Sequence, residues 1–257
     1  MFQHTKIALL LLSAAACAFA QDGRRPVAFN AGSAAVIDEP GTYVLTRDII
    51  SRTGTALMIT ASGVTLDLNG RMISGPGDQS GNGIVIMNAT GVTLTNGNVA
   101  DFAFGITVMN SNNVMLRELN VRGRGLAPLA GSPPETGVMI MQSKNVTVEG
   151  NNFYNTGLGI FVRGGRSWGN RIANNNITAA TNGVLGICYN PTPTDPMGPR
   201  GDVISGNHMA GYNKGIQMGA TSAYNIIRNN TAVYLDKEIE NNNTSNVVEG
   251  NLGAKIP

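Results

Sequence analysis

The feature that most constrains this chain is an internal repeat. The segment GVTLDLNG at residues 63–70 returns in altered form as GVTLTNGN at 91–98 and NVTVEGNN at 145–152. Each copy alternates aliphatic or β-branched residues with polar ones and contains Gly or Asn near its end. A second unit precedes each copy, as in NGIVIMN at 82–88 and FGITVMN at 104–110. A repeat of a few dozen residues is typical of a solenoid, in which each copy forms one turn of the chain.

The spacing of the second unit predicts the length and number of the turns. One hydrophobic position can be taken as equivalent from turn to turn; the aligned residues are Leu57, Ile84, Ile106, Val138, Ile160, Val184, Ile216 and Ile239. The steps between them are 27, 22, 32, 22, 24, 32 and 23 residues. The base period is therefore 22 to 24 residues, with three longer turns.

The repeated segments have the character of strands. They are short, rich in Val, Ile and Thr, and bounded by Gly and Asn, which favours strand over helix. Ile84 and Ile86 fall on one face of the first strand of a turn, as Val64 and Leu66 do on the second. A leucine-rich repeat would need a helix or a longer Leu pattern on its convex side, and the sequence supplies neither. The sequence thus predicts an all-β stack of coils, with parallel strands ~4.8 Å apart.

A column of asparagines marks one corner of the coil. Its members are Asn151, Asn175, Asn207, Asn230 and Asn251. Gly or Asn stands just before each of them, and these two residues tolerate the left-handed backbone of a sharp bend. Stacked Asn side chains can also hydrogen-bond between coils. We therefore interpret the column as a structural ladder rather than a ligand site.

The repeated segments resemble those of a known protein family. The repeats, together with PGTYVLTRDI at 40–49 and GVTLDLNGRMISG at 63–75, are similar to the right-handed parallel β-helix family. That pectate-lyase-like group includes carbohydrate-binding and sugar-hydrolase repeat domains and the periplasmic accessory proteins of nitrous oxide reductase. The resemblance covers roughly residues 36–252 and implies a single-stranded, right-handed parallel β-helix of about eight coils. The resemblance does not predict a particular function, because this scaffold carries many unrelated activities.

The N-terminus predicts export. Lys6, an apolar run at 7–16 and Ala-Phe-Ala at 18–20 form the pattern of a secretory signal peptide. The apolar run is shorter than the ~20 residues that a membrane span needs. We predict a signal peptide at 1–20, an N-terminal extension at 21–35 and a β-helix domain at 36–257, in a secreted or periplasmic protein without a membrane span.

The outward positions of the first strand predict an apolar stripe across several coils. They are Met58, Val85, Met87, Thr107, Met109, Met139, Met141, Phe161, Arg163, Leu185 and Ile187, followed by Gln217 and Glu240. Such a stripe exceeds the scattered apolar residues of a monomer surface, so something should cover it. Two long Pro- and Gly-rich segments, 122–135 and 189–201, flank the same sheet. Either these loops or residues 21–35 fold over the stripe, or the loops border a groove for a partner, an extended ligand or a second copy.

Aromatic and cationic residues near this groove are the best candidates for contacts to a glycan. The candidate binding residues are Met139, Met141, Phe161, Arg163, Arg166, Trp168, Tyr189, Tyr212 and Lys214. Aromatic faces stack on sugar rings, and Arg pairs with uronate carboxylates. Trp168 has an alternative role as a plug within its loop. A net charge of +2 without a Lys/Arg run gives no reason to expect nucleic acid as a partner.

Motifs for catalysis or cofactor binding are missing. The resemblance implies acidic calcium ligands and a basic residue for a lyase, or NTD, DD and GHG motifs for a galacturonase-like hydrolase with paired carboxylates. The chain has none of the three hydrolase motifs, and no two acidic residues occupy adjacent outward positions on the first sheet. His208 is the one histidine outside the signal peptide, which excludes a multi-histidine metal site. We expect no cofactor and assign no catalytic residue.

The leading hypothesis is an exported, non-catalytic β-helix protein that binds a polysaccharide or a surface partner along one sheet face. One alternative is a carbohydrate-active enzyme with an unfamiliar site, in which Arg163, Tyr189 and Lys214 supply the base and neutralise charge. A second alternative is a structural or self-associating rod. The third is a copper-accessory protein, because thioethers suit Cu(I) and four methionines should lie close together; these are Met87, Met109, Met139 and Met141.

Overall fold

A computed structural model describes residues 23–29, 32–52, 54–126, 134–192 and 195–255. The predicted signal peptide and residues 127–133 of the first long loop lie outside the described residues.

The described chain consists of strands and connecting turns. The strands are β1 (Arg25–Pro26), β2 (Ala35–Ile37), β3 (Gly41–Val44), β4 (Ile49–Ile50), β5 (Thr55–Ile59), β6 (Val64–Asp67), β7 (Met72–Ser74), β8 (Asn82–Met87), β9 (Thr90–Ala100), β10 (Phe104–Met109), β11 (Asn112–Arg122), β12 (Thr136–Met141), β13 (Lys144–Glu149), β14 (Asn152–Tyr154), β15 (Leu158–Arg163), β16 (Arg171–Ala173), β17 (Asn176–Asn190), β18 (Val203–Ser205), β19 (His208–Met218), β20 (Ile226–Arg228), β21 (Thr231–Asn241), β22 (Val247–Glu249) and β23 (Leu252–Lys255).

The strands pair in parallel, each with its equivalent in the next coil, and form three sheets around one core. The first sheet contains β2, β5, β8, β10, β12, β15 and the C-terminal parts of β17, β19 and β21. The second sheet runs from β1 and β3 to β22, and the third from β4 and β7 to β23. The chain makes about nine turns, close to the predicted eight.

The predicted stacking of the coils is confirmed in the first sheet. Ile106 lies in register between Ile84 and Val138 in the neighbouring coils, and all three side chains are buried. The second sheet is stacked in the same way; Arg117, for example, lies in register between Thr95 and Glu149. The core is thus a set of aliphatic columns parallel to the axis of the coil.

One predicted alignment is wrong. Ile187, and not Val184, is the residue in register with Ile160 and Ile216. The predicted outward position of Ile187 is therefore wrong as well, since this side chain is buried in the core. The cause is an irregularity in the pairing of β17 between Thr178 and Gly183, which adds residues before the first sheet.

The asparagine ladder is confirmed. The Asn175 side-chain amide donates to the Asn207 Oδ1 atom at 2.9 Å and to the Val148 carbonyl at 2.8 Å, and the Asn151 backbone N–H donates to Asn175 Oδ1 at 3.0 Å. Asn207 bonds in the same way to Asn230 in the next coil. Residues just before the ladder have left-handed backbone, with φ of 54° at Asn174, as the corner requires.

Residues 23–29 of the predicted extension lie along the second sheet, and Ala35 at its end begins β2 of the first sheet. β1 pairs in parallel with β3, and the Val27 N–H donates to the Val44 carbonyl at 3.0 Å. Residues 23–29 therefore do not cover the apolar stripe of the first sheet, which was one of the predicted coverings.

Candidate functional site

Half-buried and polar side chains occupy the outer face of the first sheet in its C-terminal coils. We call this the first-sheet surface; it comprises Met139, Met141, Phe161, Arg163, Cys188, Asn190, Lys214, Gln217 and Glu240. Strand register brings them together: Met139, Phe161, Cys188, Gln217 and Glu240 form one column, while Met141, Arg163 and Asn190 form the next. The face changes from apolar to polar along the axis.

Phe161 and Arg163 form a cation–π pair on this surface. The Arg163 guanidinium carbon lies 5.0 Å from the centroid of the Phe161 ring. Arg163 makes no ion pair within the part of the chain that the structure describes. Alternating residues of β15 point to the same side of the strand, which is why two residues separated by one position meet. The pair therefore presents a half-buried aromatic ring beside a positive charge without a carboxylate partner.

A second polar group lies two coils further along. Lys214 Nζ donates to Glu240 Oε2 at 2.8 Å, and Gln217 Nε2 donates to the same oxygen at 2.5 Å. The hydrogen bond from Lys214, with that from Gln217, lowers the pKa of the Glu240 carboxyl to about 2. Glu240 is consequently ionised at neutral pH, and it compensates the charge of Lys214.

Cys188 belongs to the first-sheet surface, but the sequence alignment did not predict it there. Its side chain is buried, and the Asn190 Nδ2 atom lies 3.2 Å from the sulfur. Burial raises the pKa of the Cys188 thiol to about 12. The thiol is therefore protonated at neutral pH, whereas a nucleophilic cysteine reacts as the thiolate.

The assignment of Tyr189 and Tyr212 to the groove is wrong, because both side chains are fully buried inside the coil. Tyr189 points inward because Ile187 takes the place that the alignment gave to Val184. The Tyr212 hydroxyl is 3.2 Å from Thr156 Oγ1, and burial raises the pKa of Tyr212 beyond the usual range. Neither ring can stack on a sugar at the surface.

Arg166 and Trp168 lie outside the first sheet, in the turn after β15, where the chain passes to the second sheet. They line a groove of about 730 Å³ together with Lys144, Arg200 and Tyr224. We call this the corner groove. Trp168 is 44% exposed, and Lys144 Nζ lies 5.0 Å from its ring centroid. The structure thus divides the predicted binding set between two surfaces and the core.

The described parts of the two long loops are tied to the edges of the first sheet. Glu135 is buried; its carboxylate accepts the backbone N–H groups of Arg124 at 2.9 Å and Gly125 at 3.1 Å within the same loop. Its carbonyl accepts the N–H of Leu158, the first residue of β15, at 2.9 Å. Burial raises the pKa of Glu135. In the second loop, Asp195 accepts bonds from Gln142 Nε2 at 3.3 Å and Gly165 N–H at 3.1 Å. These contacts hold the described part of the first loop at the N-terminal ends of the first-sheet strands, and that of the second loop at their C-terminal ends.

The structure brings together the four methionines of the copper-accessory alternative, but it does not test copper binding. Met87, Met109 and Met141 lie in register in one column of the first sheet, and Met139 is in the neighbouring column. Within the described ranges, no group of three or more His, Cys, Asp or Glu residues could hold a metal ion. Over the same residues, no helix is long and apolar enough to cross a membrane.

The fold and the repeat together define the family. A family model of the right-handed β-helix region matches residues 33–232. The chain therefore belongs to the right-handed β-helix family. No curated protein sequence matches it significantly.

Solved structures with a similar fold differ strongly in sequence. An alginate lyase from Paenibacillus sp. str. FPU-7 is 17% identical, with a TM-score of 0.56, 77% of this chain covered and 75% of the lyase. The endo-xylogalacturonan hydrolase from Aspergillus tubingensis is 12% identical, with a TM-score of 0.53 and coverages of 86% and 68%. The Dettilon tailspike protein is 14% identical, with a TM-score of 0.53 and coverages of 86% and 60%. At this identity the likeness concerns the fold alone.

Sequence reasoning missed several residues of both surfaces. Cys188 and Asn190 were not predicted at the first-sheet surface because Val184 was aligned in place of Ile187. Gly186, which directly precedes Ile187, is consistent with the correct alignment. Lys144, Arg200 and Tyr224 were missed because the corner before the second sheet was not aligned. There Lys144, Trp168, Arg200 and Ala223 are in register, and Tyr224 directly follows Ala223.

Proposed function

We propose that this protein is an exported, non-catalytic β-helix protein that binds an acidic polysaccharide along the first-sheet surface. The observation that carries the proposal is the Phe161–Arg163 pair. A half-buried ring offers a stacking face for a sugar, and the adjacent guanidinium offers paired donors for a uronate carboxylate. Binding a carboxylate would also compensate a charge that no side chain in the described structure neutralises.

The shape and rigidity of the surface support an extended ligand. Consecutive coils repeat the same strand at ~4.8 Å, so a chain molecule lying along the axis meets one row of side chains after another. Asn190 and Gln217 are polar neighbours of the pair in the next coils. The described parts of the two loops lie at opposite ends of the first-sheet strands. A polysaccharide is also the class of molecule that the names of two proteins of similar fold indicate, an alginate lyase and an endo-xylogalacturonan hydrolase.

The state of the titratable side chains favours binding over catalysis. Glu240 is ionised and hydrogen-bonded to Lys214, which suits neither a general acid nor a free lysine base. The Cys188 thiol is protonated, and Tyr189 is inside the core. The enzyme alternative therefore loses Tyr189 from its set of three residues and retains a Lys214 that is engaged in an ion pair.

Export is the part of the proposal that rests on the sequence. Lys6, the apolar run at 7–16 and Ala-Phe-Ala at 18–20 support a cleaved signal peptide. Cys188 is then the one cysteine of the mature chain. An exported chain of this kind relies on its core for stability, without a disulfide.

Three measurements on the purified protein test the proposal. Titration calorimetry with oligogalacturonate should show saturable binding, and the ultraviolet absorbance of unsaturated uronate products should stay constant. Sedimentation should show a species whose mass does not change with concentration. Product formation would instead establish the enzyme, and concentration-dependent assembly without glycan binding would establish the self-associating rod.

A further inference from the structure

Tyr224 occupies a backbone position that is costly for its side chain. It belongs to the corner column before the second sheet, where strand register aligns it with Gly63, Gly91, Asn113, Asn145, Gly169 and Gly201. All seven residues have left-handed backbone, with φ of 59° at Tyr224. Gly and Asn tolerate this conformation, but a bulky side chain there is strained. Tyr224 is the one member of the column with a large side chain.

Packing does not compensate this strain. The Tyr224 side chain is 70% exposed, so it gains little from burial. Strained residues that persist without a packing reason occur at functional sites. The conformation instead directs the Tyr224 ring into the corner groove, which Trp168 also lines from two coils away.

The groove is cationic as well as aromatic. Lys144, Arg166 and Arg200 line it, and no carboxylate does. None of the three cations forms an ion pair among the described residues. Arg200 Nη2 donates to the Gly165 carbonyl at 3.3 Å, which fixes its head group at one wall. The remaining lining residues are glycines, which leave the floor open to a ligand.

We propose that the corner groove is a second glycan-binding site, which takes a uronate residue between the rings of Trp168 and Tyr224. The aromatic faces provide stacking surfaces for the sugar, and Arg166 and Arg200 bind its carboxylate. The site lies outside the first-sheet surface and does not depend on it, because the two share no residue.

Trp168 is the one tryptophan of the chain, so its fluorescence reports on this groove alone. Titration with hexagalacturonate should change the emission saturably. The same oligosaccharide with its carboxyl groups reduced should bind at least tenfold more weakly. An unchanged emission, or equal affinity for the reduced oligosaccharide, would overturn the proposal.

Variants separate this site from the first-sheet surface. Tyr224→Asn places in the column a residue that it already contains at Asn113 and Asn145, and it should weaken the fluorescence-detected binding at least tenfold while raising the Tm. Arg166→Gln should weaken the same binding at least fivefold. Phe161→Ala should leave it unchanged, and so should Tyr154→Ala, a matched exposed tyrosine on the third sheet. Wild-type affinity in Tyr224→Asn, or a lower Tm, would contradict the assignment.

Discussion

Asn170 donates its side-chain amide to the Oδ2 atom of Asp202 at 3.0 Å, and both side chains are buried. The Asn170 backbone N–H donates to the other carboxyl oxygen at 2.8 Å. Asp202 thus takes one position of a second coil-to-coil ladder, which continues through Asn225 and Asn246. Burial raises the pKa of Asp202 to about 7, against the hydrogen bonds from Asn170. Asp202 thus places a carboxyl group at a ladder position that asparagine occupies in the neighbouring coils.

This arrangement predicts a stability that depends on pH. The folded chain holds the Asp202 proton more tightly than the unfolded chain, whose pKa stays near 3.8. The contribution of Asp202 to stability should therefore fall as the pH rises from about 4 to about 7 and be lowest above 7. Asp202→Asn removes the titrating group, so the variant should be more stable than the wild type at pH 8, by on the order of 1–4 kcal/mol.

Chemical denaturation of both proteins at pH 5 and pH 8 measures this effect. The advantage of Asp202→Asn should shrink at pH 5, where the wild-type carboxyl is protonated. Asp236→Asn, an exposed carboxylate in β21, is the matched control and should follow the wild type. An equal pH dependence in Asp202→Asn and the wild type would refute the buried carboxyl as its source.

The first asparagine ladder should contribute directly to stability. Asn175→Ala removes the two bonds that its amide donates to Val148 and Asn207, and it removes the acceptor of the buried Asn151 backbone N–H and side-chain amide. We expect a loss of about 2–4 kcal/mol in the free energy of unfolding. Asn176→Ala, an exposed neighbour, should cost less than about 0.5 kcal/mol. Similar losses for the two variants would show that burial in the ladder is not what stabilises the corner.

Glycines of the first sheet are needed for close contact between coils. A Cβ atom on Gly137 would lie 2.5 Å from the Gly159 carbonyl oxygen and 2.6 Å from the Phe153 ring. Gly137→Ala should therefore lower the free energy of unfolding by about 1–3 kcal/mol. In Gly253→Ala the new Cβ meets only the flexible end of Glu238, so the loss should be much smaller. Thermal denaturation of the two variants compares these losses. Equal losses would show that the close Cβ contact at Gly137 is not the cause, and that the reduced flexibility of the alanine chain is.

Two other glycines, Gly183 and Gly186, show why the fold was predictable from the sequence and the register of one strand was not. Corner residues and inward aliphatic residues recur because each coil must satisfy the same geometry, and Ile84, Ile106 and Val138 align without ambiguity. In NGVLGIC, both Gly183 and Gly186 precede an aliphatic residue, so alternation fits either alignment. Close contact does not decide between them either, because a Cβ on Gly183 or on Gly186 would lie 2.6 Å from a carbonyl oxygen of the next coil. The strand register shows that Ile187 is the residue that aligns with Ile160 and Ile216.

The candidate sites were only partly predictable, for a related reason. Arg163 and Phe161 follow from alternation within a single strand, and Lys214 lies in a strand whose register was predicted correctly. Tyr224 and Trp168 come together through the corner between sheets, where the period of two that identifies strand faces does not apply. Trp168 and Tyr224 line one groove because left-handed residues of successive coils lie in register at this corner. The coordinates, and not the strand pattern, align these residues.

Binding of an acidic oligosaccharide to variants of the Phe161–Arg163 pair tests the central claim most directly. In titration calorimetry with hexagalacturonate, Phe161→Ala and Arg163→Gln should each weaken binding at the first-sheet surface by about 1–2 kcal/mol, the size of a stacking or charge-assisted contact. Arg117→Gln, an exposed arginine on the second sheet, should bind as the wild type does. Because Phe161 is half-buried, Phe161→Ala should stay folded. The account is contradicted if both variants bind the oligosaccharide with wild-type affinity, or if Phe161→Ala loses its fold.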